Sequence, residues 1–279
     1  MLGIYTVAKL TIHEALRKRV LLAALVLGLA FLVIFGLGFY FVHGEVQRDN
    51  SPAAATERGL ISIFLAMAGL YAVNFLMVMM AALLPVDTLS GEIRSGAIQS
   101  LVTKPIRRSD IVLGKWLGFW VILGGYLLLM AGGILVIVRI IGNTSPLNIG
   151  IGLALMFLEA TLLLTLSIAG GTRLSTLANG VMVFGLFGLA FIGGWIEQIG
   201  TLFANETARS LGIIASLIVP SESLWQLAAY NMQPALMRDV NLTPFSPASV
   251  PSGAMVVWAV GYTILVLAFG LWSFKTRDL

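Results

Sequence analysis

The chain has 279 residues, of which 58% are hydrophobic and 11% charged, with a formal net charge of +4. Soluble domains carry about 45–50% apolar and about 25% charged residues, so this composition excludes an ordinary water-soluble domain. There is no cysteine, which removes disulfides, thiolate metal sites and thiol nucleophiles from consideration.

In chain order, residues 1–19 read as an amphipathic helix lying on the inner membrane surface. Thr6, Lys9, His13 and Arg17 recur on one face, with Ile4, Ala8, Ile12 and Ala15/Leu16 opposite. Six apolar runs follow, over about 20–42, 60–84, 116–141, 149–171, 179–197 and 254–274. Each meets the ~18-residue length expected of a transmembrane helix. The first is too long for a signal-peptide core and reads as a retained span. With the N-terminus inside, twelve Lys and Arg fall on the cytoplasmic side. Only five (Arg48, Arg58, Arg139, Arg209 and Arg238) fall outside. This bias places both termini in the cytoplasm and shows that the net charge reflects topology, not a nucleic-acid partner. The fold class is therefore all-α: one polytopic membrane domain over 1–279.

Trp116 and Trp120 open the third span, while Trp258 and Trp272 bracket the sixth, as interfacial belts do. Ala24/Gly28 and Ala190/Gly194 have the spacing that lets helix backbones approach closely, within one subunit or across a dimer. The exterior segment 198–253 holds five of the nine prolines and a ten-residue apolar patch, Leu211–Pro220. That patch is too short to span a bilayer and is read as a re-entrant or interfacial helix. Ser221-Glu222-Ser223 can then start a short helix through Leu224–Leu227.

Charge concentrates in Val86–Gly118, with five Lys/Arg and three Asp/Glu between two apolar spans. Within the cytoplasmic loop 85–115, Asp87 can cap a helix whose apolar positions Leu89, Ile93, Ala97 and Leu101 recur every four residues. Glu92 and Arg94 project from its other faces. Pro105 stops it, Arg107 and Arg108 follow, and Ser109 or Asp110 can cap the next helix, which runs through Lys115. Such an element suits either a docking lever or a surface helix snorkelling at headgroups. No Walker A loop is present, and two isolated histidines make no metal centre. Glu159 lies near the middle of the fourth span, where an ionised side chain costs about 3 kcal/mol. Its neighbours on its own helix are apolar, so a partner must come from elsewhere; Asn74, midway along the second span, is the candidate. A proton or substrate site and a packing contact both fit.

Glu92, Gly96, Leu101, Val102, Lys104, Pro105, Ile106, Arg108, Val112, Gly114 and Lys115 together resemble the motif of type-2 ABC transporter permeases. The six spans, the N-terminal interfacial helix, the exterior run Ile218–Trp225 and the tail Phe274–Asp278 resemble the same family. The branch is similar to permeases associated with multi-copper enzyme maturation. The resemblance implies a non-catalytic exporter subunit in a bacterial or archaeal cytoplasmic membrane, in contact with membrane lipids. Two permease subunits would sit on two cytoplasmic ATPase subunits, which hold ATP and Mg while this chain binds no cofactor. It also implies a coupling helix near Leu89–Leu101, with Asp87, Leu89, Glu92, Ile93, Arg94, Leu101, Pro105, Arg107, Arg108 and Lys115 as the ATPase-coupling residues. The exterior helices would close the outer end of the path. Two rivals stand beside this reading: a secondary transporter with Glu159 as its proton site, and an ATPase-driven transducer acting on a periplasmic partner.

Overall fold

The computed structural model describes residues 2–46, 52–96, 107–240 and 249–277, which form helices and their connections with no strand among them. In hydrocarbon every backbone N–H and C=O must be paired within the protein, and the helix does this segment by segment. The helices are α1 (Leu2–Arg17), α2 (Arg19–Val46), α3 (Pro52–Leu83), α4 (Thr88–Arg94), α5 (Arg108–Gly142), α6 (Ile149–Gly171), α7 (Thr176–Leu202), α8 (Glu206–Ile218), α9 (Ser221–Met232), α10 (Ala235–Val240) and α11 (Gly253–Lys275). Six of them, α2, α3, α5, α6, α7 and α11, are long and apolar enough to cross a membrane.

The most enclosed of the six is α6, which packs against α3, α5, α7, α9 and α11. Leu155, Met156, Ala160, Leu163 and Leu164 are buried along it. By contrast, α2 and α11 expose long apolar faces, including Val33 and Ile34 on the first and Ile264, Leu265 and Phe269 on the second, which suits contact with lipid.

Rather than lying only on a membrane surface, α1 packs along the N-terminal part of α5. Gly114 and Gly118 of α5 make the groove. A Cβ at Gly114 would stand 2.5 Å from Val7 Cβ, and one at Gly118 would stand 2.8 Å from Thr11 Cβ. Val7, Thr11 and Ala15 therefore turn inward, and the Thr11 hydroxyl donates to Val7 O at 2.9 Å. Leu16, expected on the apolar face, is exposed.

The apolar run begins at 116, but the helix that carries it, α5, begins at Arg108, within two residues of the start expected from a cap at Ser109 or Asp110. Its N-cap is Arg107, with neither Ser109 nor Asp110 in that role. Trp116 and Trp120 are also not simple interfacial anchors. The two rings stack at 6.3 Å, Trp120 lies 4.8 Å from Phe157, and Trp116 Nε1 donates to Thr165 Oγ1 at 2.8 Å. Both thus turn toward α6.

The chain bends by 104° between α8 and α9. The patch Leu211–Pro220 falls mostly on α8, which leaves Leu211, Ile214 and Leu217 exposed. It is α9 that enters the bundle, with Leu224, Trp225, Ala228, Ala229 and Met232 buried, against α6 above all. The glycines of α7 serve this arrangement within the chain. A Cβ on Gly193 would meet Ala215 Cβ at 2.4 Å, and one on Gly194 would meet Glu222 Cγ at 2.6 Å. Small residues here admit a neighbouring backbone, as at other membrane helix seams.

This seam makes a prediction. Gly193→Leu should destabilise the detergent-solubilised protein by about 1–3 kcal/mol through overpacking. Gly185→Leu, on the open face of the same helix with nothing within 4 Å, should leave the thermal unfolding midpoint unchanged. Equal midpoints for both variants would show that the α7–α8 seam is not close-packed.

Candidate functional site

The helix α4 is short, and its first half is built into the bundle. Thr88, Leu89 and Ser90 are buried, and Leu89 is 1% exposed. Leu89, which the resemblance implies as an ATPase-coupling residue, therefore packs the helix against its own chain. The elbow between α3 and α4 is stitched to α6 and α7. Asn179 Nδ2 donates to Val86 O at 3.1 Å and to Ser167 O at 2.8 Å. Ser167 Oγ donates to Ala82 O at 3.0 Å, and the hydroxyls of Ser90 and Thr176 lie 2.9 Å apart.

Two ion pairs then clasp α4 from different sides. Glu92 Oε1 accepts from Lys115 Nζ of α5 at 2.5 Å. Lys115 is 3% exposed, and burying a cation is costly unless a carboxylate meets it, as Glu92 does. On the other side, Asp87 Oδ1 accepts from Lys18 Nζ at 3.1 Å, where Lys18 forms the corner between α1 and α2. Asp87 is the N-cap residue of α4, but its side chain makes no capping bond; it goes to Lys18 instead. Lys18 also donates to Thr88 Oγ1 at 3.4 Å and faces Glu14 at 3.5 Å.

The helix stops at Arg94. Gly96 adopts φ 74°, a left-handed conformation that glycine takes without strain and that commonly ends helices. Ile93 is half-buried against the core, while Arg94 and Ser95 are exposed. Leu101 and Pro105 lie outside the described residues. Arg107 is exposed at the start of α5. Arg108 turns to the other end of the chain, donating through Nη1 to Arg277 O at 2.7 Å and Lys275 O at 3.2 Å, where α11 ends. The structure thus pairs Glu92 with Lys115 and Asp87 with Lys18 on different sides of α4, and sets Arg108 at the end of α11. Lys18 is the member that sequence reasoning missed. Its signal was its position as a charged residue between two helical patterns.

Deep in the bundle, Asn74 of α3 and Glu159 of α6 come together, with Asn74 Nδ2 donating to Glu159 Oε2 at 2.9 Å. Glu159 is 1% exposed. Among the described residues, Glu159 Oε1 and Asn74 Oδ1 have no partner. Nearby, Tyr71 of α3 packs on Trp225 of α9 with ring centres 5.3 Å apart. Glu222 of α9, which sequence reasoning did not single out, is buried within electrostatic reach of both Tyr71 and Glu159. The arrangement is a polar seam joining α3, α6 and α9. Among the described residues no group of three or more His, Asp or Glu is placed to hold a metal ion.

Comparison with known proteins adds a second line of support. The family described as ABC-2 family transporter protein matches residues 5–279. Two relatives, from Pseudomonas aeruginosa and Stutzerimonas stutzeri, each named "Probable ABC transporter permease protein NosY", are 31% identical to this chain over 121 residues. Each match covers 43% of this chain and 40% of the relative, so the chain spans about two fifths of the length of these relatives.

Removing one partner of a buried ion pair strands the other, at about 3–5 kcal/mol. Lys115→Met should therefore destabilise the protein strongly, and Glu92→Leu combined with Lys115→Met should restore most of the loss. A double-mutant cycle on denaturant unfolding reads this directly; purely additive single effects would mean that the two side chains do not pair.

Proposed function

The chain belongs to the ABC-2 family of transporter proteins, and on that ground we propose that it is the permease subunit of an ABC exporter, driven by separate cytoplasmic ATPase subunits that hold ATP and Mg. The observation that carries this reading is α4, a short helix fastened at both ends to the membrane bundle with an exposed tip at Arg94 and Ser95. A lever must be stiff toward the part it moves and open toward the part that moves it. Glu92–Lys115 links α4 to α5, and Asp87–Lys18 links it to the α1–α2 corner. Displacement of the tip by an ATPase would be passed to three helices together. The names of the NosY relatives point the same way.

In this reading, a second permease subunit, identical or paralogous, completes the path. Both termini and α4 are cytoplasmic, as the distribution of Lys and Arg requires. The bent pair α8–α9 closes the exterior end, because α9 is inserted among the spans that would separate. Glu159 fixes the seam between α3 and α6 and carries no proton through the cycle: its hydrogen bond is to an amide on a neighbouring helix.

Two experiments test these assignments. A tagged copy pulled gently from native membranes should bring down an ATP-hydrolysing partner, and Ser95→Trp, which enlarges an exposed position without touching either ion pair, should lose it. Absence of any hydrolysing partner from the unmodified chain would overturn the permease reading. Second, Glu159→Gln keeps the size and the hydrogen bond to Asn74, so it should preserve transport-coupled ATP hydrolysis, while Glu159→Leu should lower stability. Abolition of coupled hydrolysis by Glu159→Gln in a protein of unchanged stability would instead assign Glu159 to proton movement.

A further inference from the structure

The end of α4, the turn between α6 and α7, and the end of α11 enclose a concavity of about 410 Å³ at the cytoplasmic end of the bundle. Arg94, Arg173 and Arg277 line it, with the hydroxyls of Ser90, Ser175 and Thr176. None of the lining residues is acidic. Among the described residues, none of the three guanidiniums is in an ion pair.

Two of the three are held in place by neutral groups. Arg173 Nε donates to Ser273 Oγ and its Nη2 to Thr276 Oγ1, each at 2.9 Å, and Arg277 Nη1 donates to Thr172 O. These bonds fix the guanidinium planes and leave their charge uncompensated. Arg94 is exposed and makes no hydrogen bond with the described residues. The first turn of α7 adds the partial positive charge of a helix N-terminus. Three cations around one space repel one another unless an anion is shared between them.

The helices that end at the concavity indicate which anion. Leu177 and Val181, next along α7 from Thr176, and Phe269 and Trp272, in the turns of α11 before Thr276, are exposed and apolar. A basic site at the ends of helices with exposed apolar faces matches a headgroup with its acyl chains, and a planar guanidinium matches phosphate oxygens.

We propose that this concavity binds the phosphate headgroup of an anionic phospholipid of the cytoplasmic leaflet, with its acyl chains along the exposed faces of α7 and α11. Such a lipid touches α4 through Arg94, so the composition of the leaflet acts on the same helix that the ATPase would move.

Native mass spectrometry of the full chain in detergent, titrated with phosphatidylglycerol or with phosphatidylcholine, tests this. The unmodified chain should retain phosphatidylglycerol selectively. Arg94→Gln removes no bond seen here and should weaken that retention about fivefold, the effect of one basic residue near an anionic surface, while phosphatidylcholine is unaffected. Equal retention of the two lipids, or unchanged selectivity in Arg94→Gln, overturns the proposal. If Arg94→Gln keeps the lipid selectivity but loses the co-purifying ATPase, the arginines meet an acidic side chain of that partner and the proposal fails. Displacement of the lipid by glycerol phosphate at equal concentration would make the site one for a free phosphate and would also overturn it.

Discussion

A lysine can be withdrawn from water inside a membrane protein only where a carboxylate goes with it, and Lys115 makes that condition structural. The glycines near it, Gly114 and Gly118, receive α1, so the lysine sits beneath that helix and is buried. The carboxylate that reaches it belongs to α4. One charge pair therefore sets the relation of α1, α4 and α5. Separating α4 from α5 would leave a buried cation unpaired, which is far costlier than breaking a surface contact. The second clasp differs in kind. Asp87 and Lys18 are partly exposed, and such pairs contribute about 0–1 kcal/mol; this one sets direction more than strength.

Deeper in the bundle the same constraint is met by hydrogen bonds. Thr161 and Thr165 of α6 donate to carbonyls one turn back, each at 2.7 Å. Ser167 reaches Ala82 of α3, and Glu159 takes the Asn74 amide. Polar side chains at this depth must find partners on their own helix or on a neighbour. The span that carries most of them is thereby driven to the centre, and the apolar faces of α2, α7 and α11 are left to face outward. The placement of hydroxyls along α6 thus decides the layout of the bundle as much as hydropathy does.

The six spans were legible in the sequence because length and hydropathy are local properties. The meeting of Asn74 with Glu159 was legible for a related reason: each lies midway along its span, so the two share a depth. Other features could not be read this way. A stripe recurring every four residues shows that α4 has an apolar face, but nothing local tells whether Leu89 packs on its own chain or on another. The burial of α9 is hidden because two serines, Glu222, Gln226 and Asn231 lower its hydropathy, although Leu224, Ala228 and Met232 recur at helical spacing. Trp116 and Trp120 carry the composition of an interfacial belt, yet a hydroxyl on α6 turns one of them inward.

The arginines at the ends of α6 and α11 and at the start of α5 show how a topological rule becomes a structural one. As counts they only orient the chain. In place, Arg108 donates to the last carbonyls of α11, and Arg277 donates to the carbonyl of Thr172, where α6 ends. Arg173 crosses from the α6–α7 turn to the hydroxyls of α11. Helix C-termini carry partial negative charge and unsatisfied carbonyls, so cations are stabilised there. A residue that cannot cross the bilayer is held at the membrane surface, and the helix ends at that surface are what it can bind. The ends of α6 and α11 are therefore tied to the start of α5, the helix that Lys115 ties to α4. Because α6 packs along α9, close contacts run without a break from α4 to the bent pair α8–α9.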